Sequence, residues 1–265
     1  MTKCLFWLKT TLFFLLFSAT FSSVGKQIKF VWNAYCPYTC VSSEAGHHGY
    51  AMELVAAIFA NSPYQIEYKF VDSWNRAMNM VKSGEADAIV FSFLGEHAEQ
   101  NFVVPKQHLA IERGNGFIVL KSSHYQLTDI NSLHQFNLIG VYKNTVWADK
   151  KLSEWERANR KKFTYLHGGG VFERALKMLR MNRIDAWEDS LGLLRYQVHK
   201  HNLVDVRIEK VMTDSVSEGG VLFSKKSAFA MEYAQFVSQG VLRLRRSGEF
   251  DAILAKYGQE SFESQ

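Results

Sequence analysis

The sequence predicts an α/β protein of two similar lobes, each a mostly parallel sheet flanked by helices, joined by two crossings of the chain. Three observations carry that prediction. Trp74–Asp87 (WNRAMNMVKSGEAD) has an echo 98 positions later: Arg76-Ala77, Met80-Val81-Lys82, Gly84 and Asp87-Ala88 align without a gap on Arg174-Ala175, Met178-Leu179-Arg180, Asn182 and Asp185-Ala186. β-rich and helical runs alternate with short connections, the layout of parallel βαβ units. Only three prolines and no low-complexity stretch leave little material for a long linker.

The first 25 residues carry Lys3, Lys9 and no acid around the apolar run Leu12–Phe17, followed by small residues. That is the pattern of a cleaved secretory signal. The run is well short of the roughly 20 apolar residues a membrane span needs. Cleavage after Ser22 and after Gly25 both stay open. Removing this segment leaves 29 of the 31 basic side chains against 26 acidic ones, and no basic run with interleaved aromatics. Nucleic acid is therefore not an expected partner.

In the remaining chain, Ile28–Trp32 (IKFVW) reads as the first strand, ending in a loop rich in aromatics around Pro37. Cys36 and Cys40 lie in that loop with three residues between them, one too many for a redox C-x-x-C. In an oxidising compartment the pair is most simply a disulfide, with free thiols or a metal as alternatives. Gly46–Gly49, around His47-His48, leads into a helix over Tyr50–Ala60, with Met52, Val55, Ala56 and Phe59 on one face. Gln65–Val71 alternates as a second strand. A helix follows in which Trp74, Ala77, Met78 and Val81 share a face, and the Asp87–Phe93 strand comes next. Phe102–Pro105 and Gly116–Leu120 are further strands, and Arg113-Gly-Asn-Gly between them is a candidate crossing.

The second lobe repeats this grammar. Leu138–Val141 is a strand, Trp147–Arg160 a helix, and Lys162–Tyr165 another strand. Phe172, Ala175, Leu176 and Leu179 line the echo helix ahead of the strand at Asp185. Gly84 and Asn182 are the residue types that tolerate the left-handed helix stop. Glu218-Gly-Gly is a candidate return crossing, and Tyr233–Tyr257 is helical with a break at Ser247-Gly248. The expected limits are 26–113 for the first lobe, with 222–265 returning to it, and 114–221 for the second.

Enzyme motifs are missing. There is no G-x-S-x-G elbow, H-E-x-x-H or Walker loop. His167-Gly-Gly-Gly has no serine elbow to serve, and Gly114-x-Gly116 lacks the third glycine of a dinucleotide loop. His47-His48 and His199-x-His201 read as surface histidines, so neither metal nor cofactor is expected. Glu188-Asp189 stands at a strand end, where open α/β sheets bind ligands.

These stretches carry a family resemblance. IKFVWNAYCPY, GYAMELVAAIF, W-x-R-A-x-x-x-V-x-x-G-E-x-D-A-I, LIGVYKNT, RIDAWEDS and the terminal GEFDAILAKYG resemble, in order, the bacterial extracellular solute-binding proteins of family 3. The resemblance covers essentially the whole chain after residue 25. It implies a periplasmic-binding-protein-like fold (type II) whose lobes close on a small solute, no enzymatic activity, a monomer, and an ABC permease or a membrane sensor as partner. A dehydratase on the same fold is the enzymatic rival.

Carried over by position, Tyr35 matches the aromatic that stacks on ligand, and Trp74 a ligand contact after the second strand. Ser92 matches a position offering hydroxyl or backbone groups to a carboxylate, Thr145 a ligand-binding turn, and Asp189, beside Glu188, the acceptor of an amino group. The family's arginine for an α-carboxylate is missing. The segment after Ser92 reads LGEHAEQNF, with His97 or Glu99 near its place, and Arg76 and Arg113 are the candidate substitutes. That loss turns the expected ligand toward a polar, amine-bearing solute and counts against the dehydratase, which also fixes carboxylates with arginine.

Overall fold

The computed structural model describes residues 26–41, 48–95, 98–143, 145, 147, 149–168 and 170–259, with the side chains of 113, 114 and 212–215 left out of the description. Residues 1–25, read above as a secretory signal, and His47 and His97 lie outside the described residues.

Among the described residues there are nine strands and eight α-helices. The strands are β1 (Lys26–Trp32), β2 (Tyr64–Phe70), β3 (Ala88–Phe93), β4 (Phe102–Val103), β5 (Ala110–Leu120), β6 (Ile139–Tyr142), β7 (Phe163–Leu166), β8 (Ala186–Asp189) and β9 (Val206–Ser224). The helices are α1 (Tyr50–Phe59), α2 (Trp74–Ser83), α3 (Ala98–Asn101), α4 (Lys150–Ala158), α5 (Val171–Arg180), α6 (Leu191–Lys200), α7 (Ala230–Ser247) and α8 (Glu249–Ala255).

The strand order β2-β1-β3-β9-β5-β8-β6-β7, with β4 on β9, is close to a palindrome. β2-β1-β3 on one side and β7-β6-β8 on the other are each parallel triplets, tied to the centre through antiparallel pairs. Between them, β5 and β9 run antiparallel across the molecule. The echo in the sequence is thus an echo in register. Ala88 sits opposite Phe30 of β1, and Ala186, its counterpart, opposite Ile139 of β6.

The two copies are built alike down to single hydrogen bonds. Gly84 N–H donates to Val81 O and Asn182 N–H to Leu179 O, each from a backbone of positive φ (81° and 51°). Ala77, Met78 and Val81 are buried in α2, as are Phe172, Ala175, Leu176 and Leu179 in α5. The carboxylate of Asp87 accepts from Lys29 N–H (3.0 Å). That of Asp185 accepts from Asn137 and Leu138 N–H (2.6 and 2.9 Å) and from Tyr125 OH (2.9 Å). Each acid pins the start of its strand to the strand beside it. Replacing either with Ala leaves those N–H groups short of an acceptor, at a cost of about 1–2 kcal/mol. Thermal melts of D87A and D185A are expected to fall by about 3–6 °C.

Several elements differ from the sequence reading. β5 begins at Ala110 rather than Gly116, and β9 starts at Val206, far ahead of the expected Val221–Phe223. The glycine-bearing crossings are not loops. They lie inside two long paired strands, with a register shift where Arg113 faces Val216 and Asn115 faces Val211. The helix expected over Trp147–Arg160 is the shorter α4, and α6 has no counterpart in the sequence reading. Its start is marked by Ser190, whose side chain accepts from Leu193 N–H.

One large apolar cluster combines residues of β1, β3 and α1 with others of α5, α6 and α7, and so runs through both halves. Two smaller clusters lie under α2 and under α4. Among the described residues, no helix is long and apolar enough to cross a membrane.

Candidate functional site: an acidic, aromatic cleft

The tyrosine loop after β1 is held from three sides. Tyr35 and Thr39 form a β-bridge, Thr39 Oγ1 donates to Asn33 O (2.7 Å), and Cys36 is disulfide-bonded to Cys40. Gly49 closes over it with φ 99°; a Cβ there would lie 2.4 Å from Tyr38 O. Only glycine combines that conformation with that approach. Tyr38, inside the disulfide loop and fully buried, stacks between Phe91 (4.4 Å between centroids) and Tyr35 (5.0 Å), while Phe93 meets it edge-on.

This column of rings forms one wall of a cavity of about 170 Å³. That volume suits a small solute, not a polymer. Tyr35, Trp74, Phe91, Ser92 and Phe93 line it from one half; Tyr142, Thr145, Glu188, Asp189 and Ser190 from the other; Glu112, Asn115 and Ser217 from the crossing strands. Six of the eight residues proposed from sequence therefore meet here: Tyr35, Trp74, Ser92, Thr145, Glu188 and Asp189. Arg76 does not line the cavity. It is largely exposed, with Asp72 at 3.9 Å, because its place on α2 turns it away from the face that bears Trp74. Glu99 lies on α3 and is exposed. The side chain of Arg113 lies outside the described atoms.

Among the described residues three carboxyl groups face this space, and each is held by neutral donors. Asp189 Oδ1 accepts from Tyr35 OH (2.9 Å) and from Ser190 N–H (2.9 Å). Glu188, 4% exposed, accepts from Asn115 Nδ2 (3.0 Å). Glu112 accepts from Tyr38 OH and from Gly192 N–H (3.4 Å). Burial pushes the Glu188 carboxyl up to about 8, with the charge of Asp189 adding to it and the Asn115 bond opposing it. Burial likewise raises Asp189 to about 6, against the Ser190 and Tyr35 hydrogen bonds. Glu112 is also raised by burial, opposed by Tyr38, the Gly192 and Leu191 backbone and the charge of Arg195. Each shift reflects desolvation of the charged form with too little positive charge to offset it.

The hydroxyls are committed as well. Ser92 Oγ donates to Phe93 O (3.1 Å) and accepts from Trp74 Nε1 (3.2 Å); Thr145 Oγ1 donates to Tyr142 O (2.7 Å). Their free valences are lone pairs. That makes Ser92 a poorer partner for a carboxylate than its sequence position implies. Among the described residues no lysine, arginine or histidine lines the cavity, and no group of three or more His, Cys, Asp and Glu could hold a metal ion.

Tyr38, Glu112 and Asn115 were not singled out by the sequence. Tyr38 had a signal, its seat between two bonded cysteines. Glu112 and Asn115 flank what reads as a flexible crossing, and only the pairing of β5 with β9 fixes where they point.

Residues 29–260 match the family described as bacterial extracellular solute-binding proteins, family 3. No curated protein sequence matches the chain. Among solved structures, it is similar to EhuB in complex with hydroxyectoine, at 19% identity and a TM-score of 0.71 over 90% of each chain. A histidine kinase sensor domain with similarity to periplasmic binding proteins gives 19% and 0.70, over 89% of this chain and 97% of that one. ArgBP from T. maritima, in a mutant form, gives 16% and 0.69, over 87% and 94%. At these identities the likeness is one of fold: two lobes, with the cavity between them.

Proposed function

Since the chain belongs to the bacterial extracellular solute-binding proteins of family 3, we propose that it captures a small, polar, amine-bearing solute between its lobes. The observation that carries this reading is the charge of the cavity: Glu112, Glu188 and Asp189 face it, and no described cation lines it. In this reading Asp189 accepts the ammonium, Glu188 adds charge, and Tyr35 and Trp74 offer ring faces for cation–π contact. Thr145 and Ser92 contribute lone pairs. The lobes comprise 26–113 with 222–265, and 114–221, and the β5–β9 ribbon is the hinge about which they close on solute.

The protein works as a periplasmic monomer, exported through residues 1–25, and presents its solute to an ABC permease. A second reading has support from one neighbour, the histidine kinase sensor domain, and makes this chain the ligand-sensing subunit of a membrane receptor. The cleft serves both readings equally. Among the described residues, the carboxyls an enzymatic role would draw on in the cavity, Glu112, Glu188 and Asp189, are those the binding reading already uses.

Native mass spectrometry of exported protein, purified without denaturation, tests the solute class. A retained adduct containing nitrogen and gaining a positive charge is expected. A protein stabilised in thermal-shift assays only by carboxylates without amines overturns the reading. Within it, W74A removes a cation–π face of about 1 kcal/mol and is expected to weaken amine binding by about 5- to 10-fold in calorimetric titration.

A further inference from the structure

We propose that the solute carries two cationic nitrogens and no carboxylate, its charges divided between Asp189 and Glu188. This rests on the amine-binding reading above and goes further, because it fixes the number of charges and excludes zwitterions.

The first step is the count of acids. Of the three carboxyls facing the cavity, Glu112 is satisfied from within the protein. Both its oxygens are engaged, by Tyr38 OH and by Gly192 N–H, and the positive charge of Arg195 acts on it from α6. Asp189 and Glu188 are not served in this way. Their partners are a phenol, a backbone N–H and an amide, none of which brings charge. Among the described residues the other charge acting on Glu188 is Glu156, which is negative. Two adjacent buried carboxyls can both ionise only if positive charge enters the space they share.

The second step is the count of donors. Tyr35 OH is spent on Asp189, one N–H of Asn115 Nδ2 on Glu188, Trp74 Nε1 on Ser92, and the hydroxyls of Ser92 and Thr145 on backbone carbonyls; the second N–H of Asn115 and the hydroxyls of Tyr142 and Ser217, which also line the cavity, are neutral donors. Among the described residues, none of the groups lining the cavity brings positive charge. A ligand carboxylate would bring negative charge to negative charge. An ammonium group brings three donors and the opposite sign. A solute with one such group leaves either Asp189 or Glu188 uncompensated, and a second group removes that penalty.

The test uses three matched series on the mature protein: 1,4-diaminobutane and 1,5-diaminopentane, the monoamine of each chain length, and the ω-amino acid of each chain length. Calorimetric titration at pH 8 is expected to show each diamine binding about 10- to 100-fold more tightly than its monoamine, the worth of one charge-assisted hydrogen bond. The ω-amino acid is expected to be the weakest of each set. Glu188→Gln, checked for folding by its thermal melt, should reduce the diamine's advantage over the monoamine to less than about threefold. If a monoamine equals its diamine, or an ω-amino acid equals or exceeds it, the two-cation inference is overturned while amine binding stands. If none of the six binds, amine binding falls with it.

Discussion

Replacing Asp189 with Asn is expected to lower affinity for a protonated amine at pH 7.5 by at least about 100-fold, the range for deleting one partner of a buried charge pair. Asn preserves shape, and its side-chain oxygen can still accept from Tyr35 OH and Ser190 N–H, the two bonds that hold Asp189. What is lost is the charge. The amine must then leave water for a site where Tyr35, Trp74 and the lone pairs of Thr145 cannot replace a carboxylate. Because Asp189 titrates at about 6 in the ligand-free protein, the wild type should also lose affinity as pH falls through 6, and D189N should not show that dependence. Titration calorimetry from pH 5 to 8.5 checks both. Affinity in D189N within threefold of wild type would move the amine elsewhere in the cleft.

That residue was legible in the sequence because it stands in a repeat. Asp87 and Asp185 open equivalent strands, so Glu188-Asp189 falls at the end of β8, where the topology reverses. The helices and parallel strands were legible for the same reason: periodicity is a local property, and α2 and α5 each show theirs within ten residues. The β5–β9 ribbon was not. Its central residues, ERGNG against MTDSVSEGG, have the composition of turns, and they become strand because the segments on either side of the register shift pair across a sequence separation of about a hundred residues. No window of one strand contains that information. Glu112 and Asn115 ride on this ribbon and were hidden with it. Arg76 misleads for the opposite reason: its motif neighbours, Trp74 and Ala77, face the protein, and the helical period places Arg76 outside.

Glu188 stands at the junction of stability and function, and the two should respond to its replacement in opposite directions. Its carboxyl titrates near 4.5 when unperturbed and at about 8 in the folded, ligand-free protein. Below pH 4.5 both states hold the proton and Glu188 has no effect on stability. As pH rises from 4.5 to 8 the unfolded chain has released its proton while the folded one retains it, so the native state loses stability across that window. The full shift corresponds to about 4–5 kcal/mol at 1.36 kcal/mol per unit; opening of the cleft to water relieves part of this, leaving about 2 kcal/mol or more. E188Q cannot ionise. At pH 8 it is expected to melt about 4–8 °C above the wild type without ligand, and the two should converge near pH 5. Its amine affinity should nevertheless fall by about 10-fold or more, since the charge it lacks is the one the solute neutralises. Differential scanning calorimetry over pH 5–8.5 and titration calorimetry in buffers of different ionisation enthalpy measure the two effects. The second also reads the proton Glu188 must release when a cation arrives at pH 7. Wild type and E188Q with the same melting profile against pH would mean that Glu188 ionises in the free protein as readily as in the unfolded chain. The opposite result would make Glu188 a group the fold holds protonated at a cost to stability, a cost the arriving cation relieves by letting it ionise.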